Sequence, residues 1–222
     1  MADAAIIFDV DGVLLELTAA EEELFFQPFA RRCDASHLSR DWNSYHTRND
    51  EDIVAEIVDR EELPDADRKN IKDEYLKLLE AQLCAATLRP TPVAGAETLL
   101  NALSERAVLG IATANFREAA RLRLVQAKLW DFVSDHACGA EGGGHKSEIL
   151  GRTLARINLP KSRIIYIGDN VNDVEAGLKH QIHFIGFSTD PQRRHILHLA
   201  GAHRLSADHD QTARLIKTVL SA

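Results

Sequence analysis

The run Ala4-Ala5-Ile6-Ile7-Phe8, which passes straight into Asp9-Val10-Asp11-Gly12, constrains the fold more than any other stretch of the chain. Apolar residues without polar alternation suit a strand buried on both faces, and such strands belong to parallel sheets covered by helices. The pattern returns in the second half. Strands are expected at Val108–Ala112, Phe132–Ser134, Ile164–Ile167 and His183–Phe187. Helices are expected between them, around Leu99–Leu103, Phe116–Lys128, Lys146–Ile157 and Asp173–His180. Strands separated by helical segments imply right-handed crossovers and a mostly parallel, doubly wound α/β sheet.

The intervening stretch, residues 17–88, reads differently. Thr18-Ala19-Ala20-Glu21 matches a capping box at the start of a helix that Pro28 limits. Ile53, Val54, Ile57 and Val58 then mark a second helix, and Ile71, Tyr75, Leu78, Leu79 and Leu83 a third. Arg89-Pro90-Thr91-Pro92 punctuates the chain where strands resume. The expected organisation is a core of residues 1–16 and 90–222, interrupted by a helical insertion at 17–89.

Composition excludes several classes. A formal charge of -8 disfavours a nucleic-acid binder, which relies on Lys and Arg to neutralise phosphates. No apolar stretch reaches membrane-spanning length, so no membrane partner is expected. The start Met1-Ala2-Asp3 lacks a basic leader pattern, and Cys33, Cys84 and Cys138 show no paired spacing. Buried thiols and a cytoplasmic location follow as expectations.

In a parallel sheet the strands' carboxyl ends share one edge, where ligands bind. That edge would collect Asp9 and Asp11 from the first strand, Thr113 and Asn115 from the second, and Asp169 with Asp173 from Gly168-Asp169-Asn170-Val171-Asn172-Asp173. Lys146, opening its own helix, could join them. Carboxylates so gathered repel one another unless a cation intervenes, and hard oxygen ligands suit Mg²⁺. The Thr113 hydroxyl, Asn115 amide and Lys146 ammonium are donors for phosphate oxygens. Metal plus donors describes a site for phosphoryl transfer.

Asp9-Val10-Asp11-Gly12-Val13-Leu14 resembles the first motif of the haloacid dehalogenase-like (HAD) superfamily, in its phosphoglycolate phosphatase/β-phosphoglucomutase-like branch. Thr113 resembles motif two, Lys146 motif three, and Gly168 to Asp173 the acidic motif four. The resemblance spans roughly residues 4–190 and implies a Rossmann-like core with an inserted C1-type helical cap. It implies a phosphoric monoester hydrolase in which Asp9 is the nucleophile and Asp11 the general acid and base. Mg²⁺ would be held by Asp9, the Asp11 carbonyl and Asp169, with Asp173 in support. Thr113, the Ala114 N–H and Lys146 would hold the phosphoryl group, with Asn115 a further contact. The expected partner is a small phosphorylated metabolite, and sugar phosphates, phosphoglycolate and nucleotides all stay open. Asp11 favours phosphatase over dehalogenase. A phosphomutase and an inactive binding module of the same fold are the alternatives. Glu16 and Ser147 depart from the residues common in relatives, which have Asp and Pro there.

Other patterns carry less. Gly139 to Ser147 nearly spells a nucleotide-binding loop, but His145 stands where that loop needs glycine. The Gly142-Gly143-Gly144 run suits a connecting turn as well as a substrate-covering loop. The ten histidines lack zinc-ligand spacing and are expected mostly at the surface. Trp42, Tyr45, His46 and Arg48 cluster in the insertion, where ordinary loop packing is the plainer expectation than substrate contact.

Overall fold

The computed structural model describes residues 3–221. Strand β1 (Ala5–Phe8) lies inside a six-stranded sheet with β2 (Val108–Ala112), β3 (Ala137–Cys138), β4 (Ile164–Gly168), β5 (His183–Phe187) and β6 (Leu205–Ser206), in the order β3-β2-β1-β4-β5-β6. Every pairing is parallel. The chain builds outward from β1 to β3 on one side, then crosses to β4 on the other. The strand order therefore reverses between β1 and β4, where doubly wound sheets open a crevice.

Both faces of the sheet are covered, as the unalternated strands require. Ile6 and Phe8 pack with helices α4 (Ala96–Ser104), α5 (Arg117–Gln126), α6 (Trp130–Val133) and α10 (His209–Leu220). Ala5 and Ile7, pointing the other way, pack with α7 (Lys146–Leu154), α8 (Val171–His180) and α9 (Pro191–Leu199). Ile6, Ile7 and Phe8 are fully buried. Each contributes roughly 1.5–3 kcal/mol of apolar transfer, so the strand carrying Asp9 is firmly held.

The intervening residues form α1 (Ala19–Phe26), α2 (Asp50–Arg60) and α3 (Ala66–Cys84), with short 3₁₀ turns between α1 and α2. Their apolar faces make a separate cluster around Phe25, Phe26, Phe29, Ile57 and Leu79. Phe116, Ala119 and Ala140 enter this cluster from the sheet-bearing part, so the helical layer is seated on it through apolar contact. The two crossings between the parts lie side by side: Glu16 N–H donates to the Thr91 carbonyl at 2.9 Å, and Val93 N–H to that of Leu14 at 3.0 Å.

Some sequence expectations need correction. Phe132–Ser134 is not a strand: α6 and a 3₁₀ turn at Ser134–His136 occupy this stretch, and the strand follows at Ala137–Cys138. Leu129 and Val133, four residues apart, are both fully buried, a helical spacing that outweighs the short apolar pair Phe132-Val133. Helix α8 starts two residues earlier than expected, because the Asn170 side chain and Asp173 form a capping box. Helix α7 ends at Leu154 rather than at residue 157. The short edge strand β6 was not foreseen. Of the three cysteines, only Cys138 is buried; Cys33 is half-buried and Cys84, ending α3, is exposed. His209 departs from the surface expectation, since it is buried against Phe187.

Candidate active site

Asp9 follows the last residue of β1, and its N–H is tied to the Ile167 carbonyl of β4 at 2.8 Å. Its Oδ1 accepts from the Val10 N–H at 2.8 Å and lies 2.8 Å from Lys146 Nζ. Oδ1 is thus occupied, and Oδ2 is the oxygen left for other chemistry. Gly12 brings the loop close beside β4. It has φ +74°, and a Cβ there would stand 2.6 Å from Asp169 Oδ2. Only glycine combines that left-handed backbone with so near an approach.

Helix α7 places Lys146 at its first residue, with Nζ also 2.9 Å from Asp173 Oδ1. Asp173 is fully buried and well satisfied, accepting from Tyr166 Oη at 2.6 Å and from the Asn170 N–H at 3.1 Å. Asp169 is positioned by Arg193, whose Nε donates to the Asp169 carbonyl at 2.9 Å. Carboxylate oxygens of Asp9, Asp169 and Asp173 all lie within 4.8 Å of one another. Burial pushes the Asp9 carboxyl up to about 8; Lys146 opposes this, and Asp173 and Asp169 add to it. Burial pushes Asp169 up to about 6, with Asp173 reinforcing. These carboxylates are short of positive charge, the deficit a hard cation would make good. Asn172 Oδ1, buried and without a hydrogen-bond partner among the described residues, lines the same space.

The motif-two residues face this cluster. Thr113 is buried, its N–H donating to the Cys138 carbonyl at 3.1 Å and its Oγ1 accepting from the Asn115 N–H at 3.2 Å. The Asn115 Oδ1 is taken by Arg123 Nη1 at 3.1 Å, which leaves its amide nitrogen as the available group. A cavity of about 330 Å³ between sheet edge and helical layer is lined by Asp9, Asp11, Thr113, Ala114, Asn115, Lys146 and Asp169. From the helical side come Glu22, Phe25, Trp42, Arg48, Ile53 and Tyr75. Every candidate residue from the sequence lines this cavity except Asp173, which stands behind Lys146. Trp42 Nε1 donates to Glu22 at 2.7 Å, while Tyr45 turns away to the Ser39 carbonyl and His46 lines a second cleft with Arg48.

Several residues of the site were not anticipated. Arg123 is buried on α5, its guanidinium bonded to Asp11 and Glu21. The available signal was its place beside Ala119, Ala120 and Leu124 on the inward face of α5, where an arginine needs partners. Asp50, at the start of α2, accepts from the Phe116 N–H at 2.8 Å while its own N–H donates to the Ala114 carbonyl at 2.9 Å. Burial lifts its carboxyl to about 7. Nothing in the local sequence marks it. The glycine run also has a definite task. Gly142, Gly143 and Gly144 all have positive φ, and Gly144 accepts from Asn49 Nδ2 at 2.8 Å and donates to Asp52 at 2.9 Å. It thus joins the loop before Lys146 to the N-terminus of α2.

A doubly wound parallel sheet with carboxylates gathered at its reversal point defines the class: an α/β protein with a ligand site at the carboxyl ends of its strands. The family model for haloacid dehalogenase-like hydrolases matches residues 4–181, and the chain belongs to that family. Solved structures share the fold at low identity. A hydrolase from Pseudomonas syringae is 16% identical, with TM-score 0.71 over 97% of this chain and 98% of that one. The CbbY protein from Rhodobacter sphaeroides, solved in complex with phosphate, is 18% identical, with TM-score 0.72 over 94% and 95%. A HAD family hydrolase from Deinococcus radiodurans, with bound phosphate and sodium, is 21% identical, with TM-score 0.61 over 98% and 96%. No curated protein matches the chain. No helix among the described residues is long and apolar enough to cross a membrane.

Proposed function

We propose that this chain is a Mg²⁺-dependent phosphohydrolase acting on a small phosphomonoester in the cytoplasm, with residues 17–89 as a cap over a core of residues 1–16 and 90–222. The observation that carries this reading is the meeting of Asp9, Asp169 and Asp173 within 4.8 Å, next to Lys146 and the motif-two loop. Their donor set fits Mg²⁺: Asp9, the Asp11 carbonyl and Asp169 would hold it, and Asp173, its oxygens already bonded to Lys146, Tyr166 and Asn170, would support from behind. When bound, the ion would neutralise the carboxylates and withdraw charge from the phosphoryl oxygens.

The remaining steps fall to the chain's own groups. Asp9 Oδ2 attacks phosphorus as the bond to the leaving oxygen breaks, giving an aspartyl phosphate. Asp11 supplies the proton that the leaving oxygen takes up. It then accepts one from the water whose oxygen attacks phosphorus, and the Asp9–phosphorus bond breaks to release inorganic phosphate. Thr113, the Ala114 N–H, the Asn115 amide nitrogen and Lys146 hold the phosphoryl oxygens through this exchange. The cap encloses the leaving group and limits entry of water.

The test is phosphate release from a panel of phosphomonoesters with Mg²⁺ or excess chelator, for wild type, Asp9→Asn and Asp11→Asn. Turnover that needs Mg²⁺ and disappears in both variants is expected. Undiminished release from Asp9→Asn, or in chelator, would sink this mechanism. Return of the phosphoryl group to a sugar in place of water would mark a phosphomutase instead, and a wild type inert on every ester would mark a binding module.

A further inference from the structure

Arg123 belongs to none of the motifs, yet it joins three parts of the molecule. The residue is 3% exposed, and its guanidinium reaches Asp11 Oδ1 at 2.5 Å through Nη2, Glu21 Oε1 at 2.9 Å through Nε and Asn115 Oδ1 at 3.1 Å through Nη1. Glu21 is 5% exposed, and its second oxygen accepts from the Thr18 N–H at 2.9 Å, closing the capping box of α1. A continuous set of bonds therefore runs from the start of the helical insertion, through Glu21 and Arg123, to the carboxylate two residues beyond Asp9.

Burying one guanidinium with two carboxylates is a poor route to stability, because desolvation offsets most of the attraction. What such an arrangement supplies is direction: the planar fork sets where each oxygen lies. With Oδ1 held by Arg123, Asp11 Oδ2 takes no hydrogen bond from the described residues, and Asp11 borders the cavity. Without Arg123, Asp11 and Glu21 would face each other as unpaired like charges, and both the carboxylate and α1 would shift.

We propose that Arg123 is a positioning residue for Asp11, presenting Oδ2 to the leaving oxygen, and that Glu21 makes this presentation depend on the helical insertion being seated. The proposal rests on the phosphohydrolase reading above. In it Asp11 takes up a proton from solvent on Oδ2 before the chemical step and donates it to the leaving oxygen as the phosphorus–oxygen bond breaks, while Arg123, bonded to Oδ1, keeps all its protons throughout.

The test compares two esters of nearly the same shape, p-nitrophenyl phosphate and phenyl phosphate, with the Mg²⁺-loaded full chain. The nitrophenolate leaves without much help, whereas phenolate needs its proton. Arg123→Lys keeps the charge but not the fork. It is expected to lower kcat for phenyl phosphate by about 100-fold, the scale of a misplaced general acid, and for the nitrophenyl ester by only about 3-fold. Glu21→Gln should shift the ratio in the same direction and serves alone if Arg123→Lys does not fold. Asp11→Asn, which removes the acid itself, sets the limit: Arg123→Lys should lose phenyl phosphate turnover towards that limit while keeping most of its turnover of the nitrophenyl ester. Equal losses on both esters in either single variant, with wild type active, would overturn the positioning role and leave the phosphohydrolase reading standing. A wild type that turns over neither ester would overturn that reading, and this proposal with it.

Discussion

Lys146 Nζ lies 2.8 Å from Asp9 Oδ1, and both residues are buried. Burial works against the charged lysine, but Asp173 and Asp9 together hold its pKa well above the ordinary lysine range. Replacing it by an apolar residue leaves two carboxylates without their counter-charge. Lys146→Met is expected to abolish phosphate release and to lower stability by about 3 kcal/mol or more, read by urea denaturation in chelator.

Asp9→Asn should act in the opposite sense on stability. Because burial raises the folded carboxyl to about 8, the folded metal-free protein binds a proton that the unfolded chain has released. Between roughly pH 4 and pH 8, stability therefore falls as pH rises. The variant should be more stable than wild type near pH 8 in chelator, with a flatter melting temperature across that window. Saturating Mg²⁺ should stabilise wild type, by about 2.7 kcal/mol at one hundred times its dissociation constant. Calorimetry with and without the ion checks both.

Asp50 offers a separate pH signal, from the helical side of the same cavity. Its carboxyl, raised by burial to about 7, also binds its proton more tightly in the folded state, so its ionisation destabilises the fold as pH rises through that value. An asparagine oxygen can still accept from the Phe116 N–H that Asp50 now accepts at 2.8 Å. Asp50→Asn should match wild type near pH 5 and exceed it near pH 8, as measured by thermal unfolding in chelator. Equal melting curves at both values would show that Asp50 does not carry a raised pKa.

Gly12→Ala tests the close approach of the loop to β4. The left-handed conformation costs a non-glycine residue about 1–2 kcal/mol, and the new methyl would meet Asp169 Oδ2 at 2.6 Å. Displacing Asp169 should weaken Mg²⁺ binding at least about tenfold, equivalent to 1.4 kcal/mol, in isothermal titration. An unchanged affinity would mean that Asp169 is not a ligand.

Much of the fold was legible because its signals are local. The unalternated β1, the alternation after Pro92 and the Thr18–Glu21 capping box each depend on near neighbours in the chain, and the structure shows all three. The Phe132–Ser134 error arose where two apolar residues, Phe132 and Val133, served either period and only packing against the core chose between them. Likewise the cysteines could not be ranked by burial, since exposure at Cys84 reflects where α3 ends.

What the amino-acid sequence alone determined, then, is that Asp9 and Asp11 follow a buried parallel strand, and that Thr113 and Asp169 close strands of the same sheet. Strand ends share an edge in any parallel sheet, so those residues had to converge. The sharing of Lys146 between Asp9 and Asp173, and of Arg123 between Asp11 and Glu21, was decided only by the tertiary structure. Arg123 and Glu21 are 102 positions apart in the chain, and Arg123 and Asp11 are 112 apart. Their meeting depends on how the helical insertion seats over the sheet edge, which no local periodicity encodes.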